Sequence, residues 1–225
     1  MSTADTQSTE NSRQKSPFVV TVVVLLIIIA AGIFVRVRDL AGESVTFDEF
    51  TSLVYLRVPQ DWVDSPNYAR WEQAVCPDRP RGVNSLREFL VKNRTIDPAT
   101  MPVYDTIEYL WNRFVSPTPL SQRYFSIFFG ILIIPFVYVF GRDLFGRVAG
   151  IVAALCVALS PIHRYHSQEI HMYIHVALLA LASGYTLMQL VRRGGFRWWA
   201  AHIAVNILLV WTHTFAALLP FTEGL

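Results

Sequence analysis

Two stretches of the chain carry side chains able to move protons or hold phosphate. Ser160 to Tyr173 reads SPIHRYHSQEIHMY, which sets His163, His166, His171, Arg164, Glu169 and two tyrosines between hydrophobic runs, with His175 just beyond. Asp48 and Glu49 form an adjacent carboxylate pair far upstream. A carboxylate can accept the proton of an attacking hydroxyl, and the guanidinium forks of Arg36, Arg123 and Arg164 match phosphate oxygens. Each of these residues also has a plain structural use. Thr46 and Glu49 fit a capping box, and an acid in a first turn suits the helix dipole. Ser167 is placed to cap the run that begins at Ile170, with Glu169 beside it. Arginines near membrane ends snorkel to head groups. His171 and His175 share a face if that run is helical, and with Glu169 they are candidate metal ligands. Interfacial histidines also bind backbone, water or lipid phosphate, so no metal set is assigned and a divalent cation is left open.

Polar groups this dense are costly between membrane-length segments unless they lie at the interface or line a wet cavity. The elements that must position them are read as follows. Residues 1–16 lack apolar periodicity and are expected as a disordered cytoplasmic tail. Residues 17–35 are long and apolar enough for a first transmembrane helix. The run outlasts a signal-peptide core and is followed directly by Arg36 and Arg38, so it is expected to stay uncleaved. Residues 36–120 are expected as a large extracytoplasmic first loop of short helices, with capping boxes at Thr46–Glu49 and Ser85–Glu88. Ile107, Leu110, Trp111 and Phe114 fall at helical spacing, a stripe suited to the membrane surface.

Residues 121–225 are expected to hold transmembrane helices 2–5 with short loops: Tyr124–Phe140, Val148–Leu159, Ile170–Val191 and Trp198–Phe221. His213 sits within the last of these and needs water or a partner on another helix. Arg142 and Arg147 mark one short turn, and Arg192, Arg193 and Arg197 mark another. The positive-inside rule puts both turns in the cytoplasm together with the N-terminus, leaving the first loop and Ser160–Tyr173 on the opposite face. The fold class is therefore an all-α, polytopic integral membrane protein.

Composition agrees. The 225 residues are 53% hydrophobic with a net charge of only +2, which gives no sequence-wide case for nucleic acid. Cys76 and Cys156 stand in unlike contexts, so neither a disulfide framework nor a cysteine zinc site is expected.

The order of motifs resembles the GT-C glycosyltransferases, specifically the protein mannosyltransferase and aminoarabinose transferase group. The likeness lies in Arg36-Val-Arg-Asp-Leu40 followed by Phe47-Asp48-Glu49, and in Leu120-Ser-Gln-Arg123-Tyr-Phe-Ser126 leading to Gly130. It continues in Gly141-Arg-Asp-Leu-Phe-Gly-Arg147, Ala158-Leu-Ser-Pro161 and Tyr165-His-Ser-Gln-Glu169, ending at Tyr173, and in Trp211-Thr-His213. The chain departs from that group at Met101-Pro102-Val103-Tyr104, where the group often has a His-Pro-Pro-Leu-Tyr-like stretch, and at His171, where it usually has arginine. The likeness spans roughly residues 17–222, and members with about twice as many helices make this chain resemble an N-terminal portion.

The resemblance implies transfer of a sugar from a polyprenyl-phosphate donor to an acceptor hydroxyl on the extracytoplasmic face of the cell membrane. It implies Asp48 as base with Glu49 beside it. Arg36, Arg123, Arg164, Glu169, His171, Tyr173 and His213 would serve the donor and its phosphate. The acceptor, whether glycan, lipid or protein, is not read from the residues. The alternatives are a non-catalytic membrane scaffold that needs a partner chain, or a component of a transporter or flippase.

Overall fold

The computed structural model describes residues 3–38, the positions Leu40, Thr46 and Glu49, and residues 85–96, 101–116 and 118–224. Asp48 lies outside them, as do Cys76 and most of residues 41–84. Every regular element among the described residues is helical. Helix α1 runs Thr3–Val37, starting within the stretch expected as a tail, and its membrane-length apolar part is Phe18–Val37. Two shorter helices follow, α2 over Leu86–Ile96 and α3 over Pro102–Phe114. Next come α4, Pro119–Phe145, and α5, Arg147–Leu159. Helix α6 spans Pro161–Gln168, α7 Tyr173–Arg193 and α8 Phe196–Val210.

Local chemistry sets these boundaries. Thr118 accepts the Ser121 N–H at 3.3 Å ahead of Pro119, and Ser160 accepts the His163 N–H at 3.4 Å ahead of Pro161. In both, a hydroxyl cap precedes a proline whose missing N–H costs nothing at the first helical position. Gly146 joins α4 to α5 with φ +91°, a conformation that penalises a side chain.

Phe18–Val37, Pro119–Phe145 and Tyr173–Arg193 are each long and apolar enough to cross a membrane, and α5 with α6 passes as a pair bent by 56°. Their outward faces are apolar: Phe18, Phe145, Val148 and Val191 are all strongly exposed, as lipid-facing residues are. One expectation is corrected. Ser167 does not cap α7; it lies near the end of α6, and α7 begins at Tyr173 after a turn with no side-chain cap. The final segment, which His202, Asn206 and Thr212-His213 interrupt in sequence, divides at the last two. Helix α8 ends at Val210, where Thr212 Oγ1 turns back to donate to Leu208 O at 2.7 Å. His213 is extended and accepts the Phe215 N–H, starting the 3₁₀ turn Thr214–Ala217 and then α9, Leu218–Thr222. Polar groups that can bond their own backbone compete here with continuation of the helix.

Packing relies on small residues. A Cβ added at Gly150 in α5 would lie 2.6 Å from Tyr138 O of α4, so the two backbones touch where only glycine fits. Ile28 of α1 meets Ile134 and Tyr138 of α4 and Ala154 and Ala158 of α5 in the apolar core. Asp143 ties the two arginine-rich turns together at one end of the bundle, accepting from Arg142 Nε at 2.8 Å and from Tyr185 OH at 3.3 Å, while Arg192 donates to its carbonyl.

At the other end Arg36 locks α1 to α5 and α6. Its guanidinium is fully buried and donates to Gly32 O at 3.1 Å, Ala158 O at 2.9 Å, Val157 O at 3.2 Å and Ser167 Oγ at 3.1 Å. Carbonyls at the end of α5 have no partner within the helix, and a planar fork satisfies two of them at once. Gln168 returns a bond to Arg36 O at 2.8 Å. Close approach of α4 and α6 is kept by Gly130, where a Cβ would meet Ser167 Oγ at 2.2 Å. Replacing Arg36 by lysine retains the charge but not the fork. We expect Arg36→Lys to lose about 1–3 kcal/mol for each carbonyl it leaves unpaired, read as a lowered melting temperature in detergent.

Candidate functional site

The end of the bundle opposite the arginine-rich turns gathers the chemistry-bearing residues. Arg123, in the first turns of α4, is buried and lays its fork on Glu49, with Nε to Oε1 at 3.0 Å and Nη2 to Oε2 at 2.9 Å. Its Nη1 donates to Leu40 O at 3.0 Å. Glu49 also accepts the Ile170 N–H at 3.1 Å and the Thr46 N–H at 2.9 Å, while Thr46 Oγ1 accepts the Glu49 N–H at 3.3 Å. The capping box expected at Thr46–Glu49 therefore forms, and its carboxylate does more than cap. It joins the first loop to α4 and to the turn between α6 and α7.

That turn carries the second acid. Glu169 is buried, and its Oε2 lies 3.2 Å from His166 Nδ1. The His166 ring meets Tyr165 edge-on at 5.2 Å and Tyr173 at 5.1 Å. Tyr173 in turn faces His171 at 4.5 Å and His213 at 6.5 Å between ring centroids. Glu169, His171, Tyr173 and His213 are thus brought to one rim. Trp211 O, beside His213, accepts the Val103 N–H at 3.0 Å and anchors α3 to the same end.

Other site candidates are placed differently. Arg36 and Arg123 direct their guanidiniums into the protein frame. Arg164 donates to Gln168 Oε1 at 3.2 Å. His171 and His175 do not share a helix face, because His171 belongs to the turn before α7 and His175 to its first turn. No three His, Cys, Asp or Glu side chains among the described residues converge as a metal set would. His175 packs instead against Tyr104, Phe125 and Phe129, with centroids 5.0, 5.1 and 4.2 Å away.

Helix α3 exposes Ile107, Leu110 and Phe114 but buries Tyr104, Asp105 and Glu108. Tyr104 OH donates to Glu108 Oε1 at 3.3 Å. Burial pushes the Glu108 carboxyl well above the usual range, and Asp105 adds to the shift. Burial raises the Tyr104 hydroxyl in the same way, with Glu108, Asp105 and Glu49 contributing. The acidic motif of the first loop is thus felt at Tyr104. The signal was present in the sequence: an apolar stripe meant for lipid obliges the opposite face, Tyr104 to Glu108, to pack inward.

An all-α bundle with membrane-length helices and acidic and histidine-bearing turns gathered at one end defines a polytopic membrane protein with a polar site at the bundle's end. Residues 102–222, more than half of the chain, match the model of the dolichyl-phosphate-mannose-protein mannosyltransferase family, and the chain belongs to that family. It is a membrane glycosyltransferase of the GT-C kind. The match covers α3 to α9, with Arg123, Glu169 and His213, and begins downstream of Arg36, Asp48 and Glu49. Neither a curated protein nor a solved structure matches the chain.

Glu108 gives a pH test. Its raised folded value means that its contribution to stability is complete below the ordinary glutamate range and is lost as pH rises through the folded value. Thermal stability of the wild type should therefore fall over that interval, and Glu108→Gln should flatten the fall, as read by melting curves at a series of pH values.

Proposed function

We propose that the chain transfers a sugar from a polyprenyl-phosphate donor to an acceptor hydroxyl on the extracytoplasmic face of the cell membrane, its N-terminus lying in the cytoplasm. The observation that carries this reading is the Glu49 carboxylate, which bonds Arg123 and the Ile170 N–H and so meets the turn bearing Glu169. Two carboxylate-bearing segments from distant parts of the chain meet at one bundle end, beside lipid-facing helices that suit an isoprenoid carrier. The family supports the sugar-transfer chemistry.

In this reading the acceptor oxygen attacks the anomeric carbon as the bond from that carbon to the phosphate oxygen breaks. The bonding pair leaves with the phosphate, the configuration inverts, and the acceptor's proton passes to Asp48. Glu49, spent on the Arg123 fork, holds the base-bearing segment in place. Glu169, Tyr173, His171 and His213 line the donor side with Arg164 nearby. Arg36 and Arg123 act as positioning residues, since their donors are turned into the frame.

The arginine-rich turns of α4–α5 and α7–α8 support the orientation, because cytoplasmic loops carry the excess of arginine and lysine. The test is transfer from a radiolabelled polyprenyl-phosphate sugar in membranes carrying the chain. Asp48→Asn should reduce turnover by about 100-fold or more, within the range for loss of a general base, while membrane insertion is unchanged. Full activity in that variant would remove Asp48 from the mechanism.

A further inference from the structure

Donor phosphate needs positive charge, and the buried arginines give theirs to the frame. Arg36 is taken by carbonyls and Ser167, and Arg123 by Glu49 and Leu40 O. At the rim, the group that can be cationic and is held by a buried acid is His166. Its Nδ1 is 3.2 Å from Glu169 Oε2, with the carboxylate side chain 5% exposed and the imidazole 34% exposed. A carboxylate fixed on one ring nitrogen orients the imidazole and sets which nitrogen is kept for a second partner. The surface next to it is apolar and open: on the same helix Ile162 is 71% exposed and Tyr165 50%. A cation-capable ring beside an exposed apolar strip matches a ligand that joins a phosphate to a hydrocarbon tail.

We infer that His166, held by Glu169, binds the phosphate of the polyprenyl donor and meets the negative charge that develops on it as the sugar leaves. This rests on the transfer reading above. As the bond from the anomeric carbon to the phosphate oxygen breaks, the phosphate changes from diester to monoester and gains one negative charge, which the imidazolium faces. The acceptor's proton still goes to Asp48, so His166 need transfer none. Charged and polar groups around the ring are Tyr165, Arg164, His163 and Glu169 on its own segment, and Tyr173, His171 and His213 from the neighbouring ones.

The experiment compares wild type, His166→Gln and His166→Arg, the side chain being exposed enough for all three to fold. Transfer from a radiolabelled polyprenyl-phosphate sugar is followed for all three at one pH. We expect His166→Gln to lower kcat/KM for the donor by about 10–100-fold, the worth of one charge-assisted hydrogen bond, with the acceptor KM unchanged. His166→Arg, which carries a fixed positive charge, should recover part of what His166→Gln loses. Binding is read separately, as protection from thermal unfolding by dodecyl phosphate and by inorganic phosphate. Protection by dodecyl phosphate that is absent in His166→Gln, with little from inorganic phosphate, supports the assignment. Equal protection by both, or by neither, overturns it. If the wild type transfers and His166→Gln keeps its rate, the role of His166 falls while the transfer reading stands. If the wild type transfers nothing, the transfer reading itself falls.

Discussion

A guanidinium inside a membrane-protein frame must be matched almost donor for donor, and that requirement organises one end of this molecule. Arg123 is buried in α4 because a partner comes to it. The one that comes is Glu49, from a loop 74 residues away in sequence. Once drawn in, Glu49 has acceptor capacity left, and the Ile170 N–H uses it. One ion pair therefore fixes the first loop, the start of α4 and the turn after α6 with respect to one another. Arg36 solves the same problem without an acid, by turning its fork onto carbonyls that α5 leaves open. The frame is built from charges that had to be satisfied, and the polar rim is what those contacts bring together.

This division of labour bears on catalysis. Side chains committed to several fixed bonds hold geometry, and those with a solvent-facing edge are suited to meet substrate. Glu49, Arg36 and Arg123 belong to the first kind. His166 and Tyr173 belong to the second, and Glu169 stands between them, buried yet bonded to His166. Behind the site, burial holds the Glu108 carboxyl on α3 toward its neutral, protonated form.

Much of the architecture was legible in the residues. Long apolar runs gave α1, α4 and α7, and the spacing of Thr46 and Glu49 announced a capping box that forms. The gathering of acidic and histidine-rich segments at one end followed from the arginines of the short turns. What stayed hidden depended on tertiary partners. Arg36 and Arg123 looked suited to phosphate because a fork is the same whether it meets a phosphate or a carbonyl, and only packing decides between them. The last hydrophobic stretch reads as one span by composition, yet Thr212 and His213 bond their own backbone and divide it. Ser167 has the residue type of a helix cap, but α6 absorbs it and Arg36 claims its hydroxyl. Tyr104, Asp105 and Glu108 stayed hidden because their residue types suit an exposed polar face as well as a buried one, and only packing against the bundle decides.

The most direct test of this account is hydrogen exchange at the Ile170 amide, in a turn where no helix supplies its acceptor. If Glu49 bridges Arg123 to that turn, a peptide covering residues 168–172 exchanges slowly in the wild type and much faster in Glu49→Gln, while α8 peptides keep their protection. Fast exchange at Ile170 in the wild type, or slow exchange untouched by the substitution, would contradict the claim that this one carboxylate assembles the site.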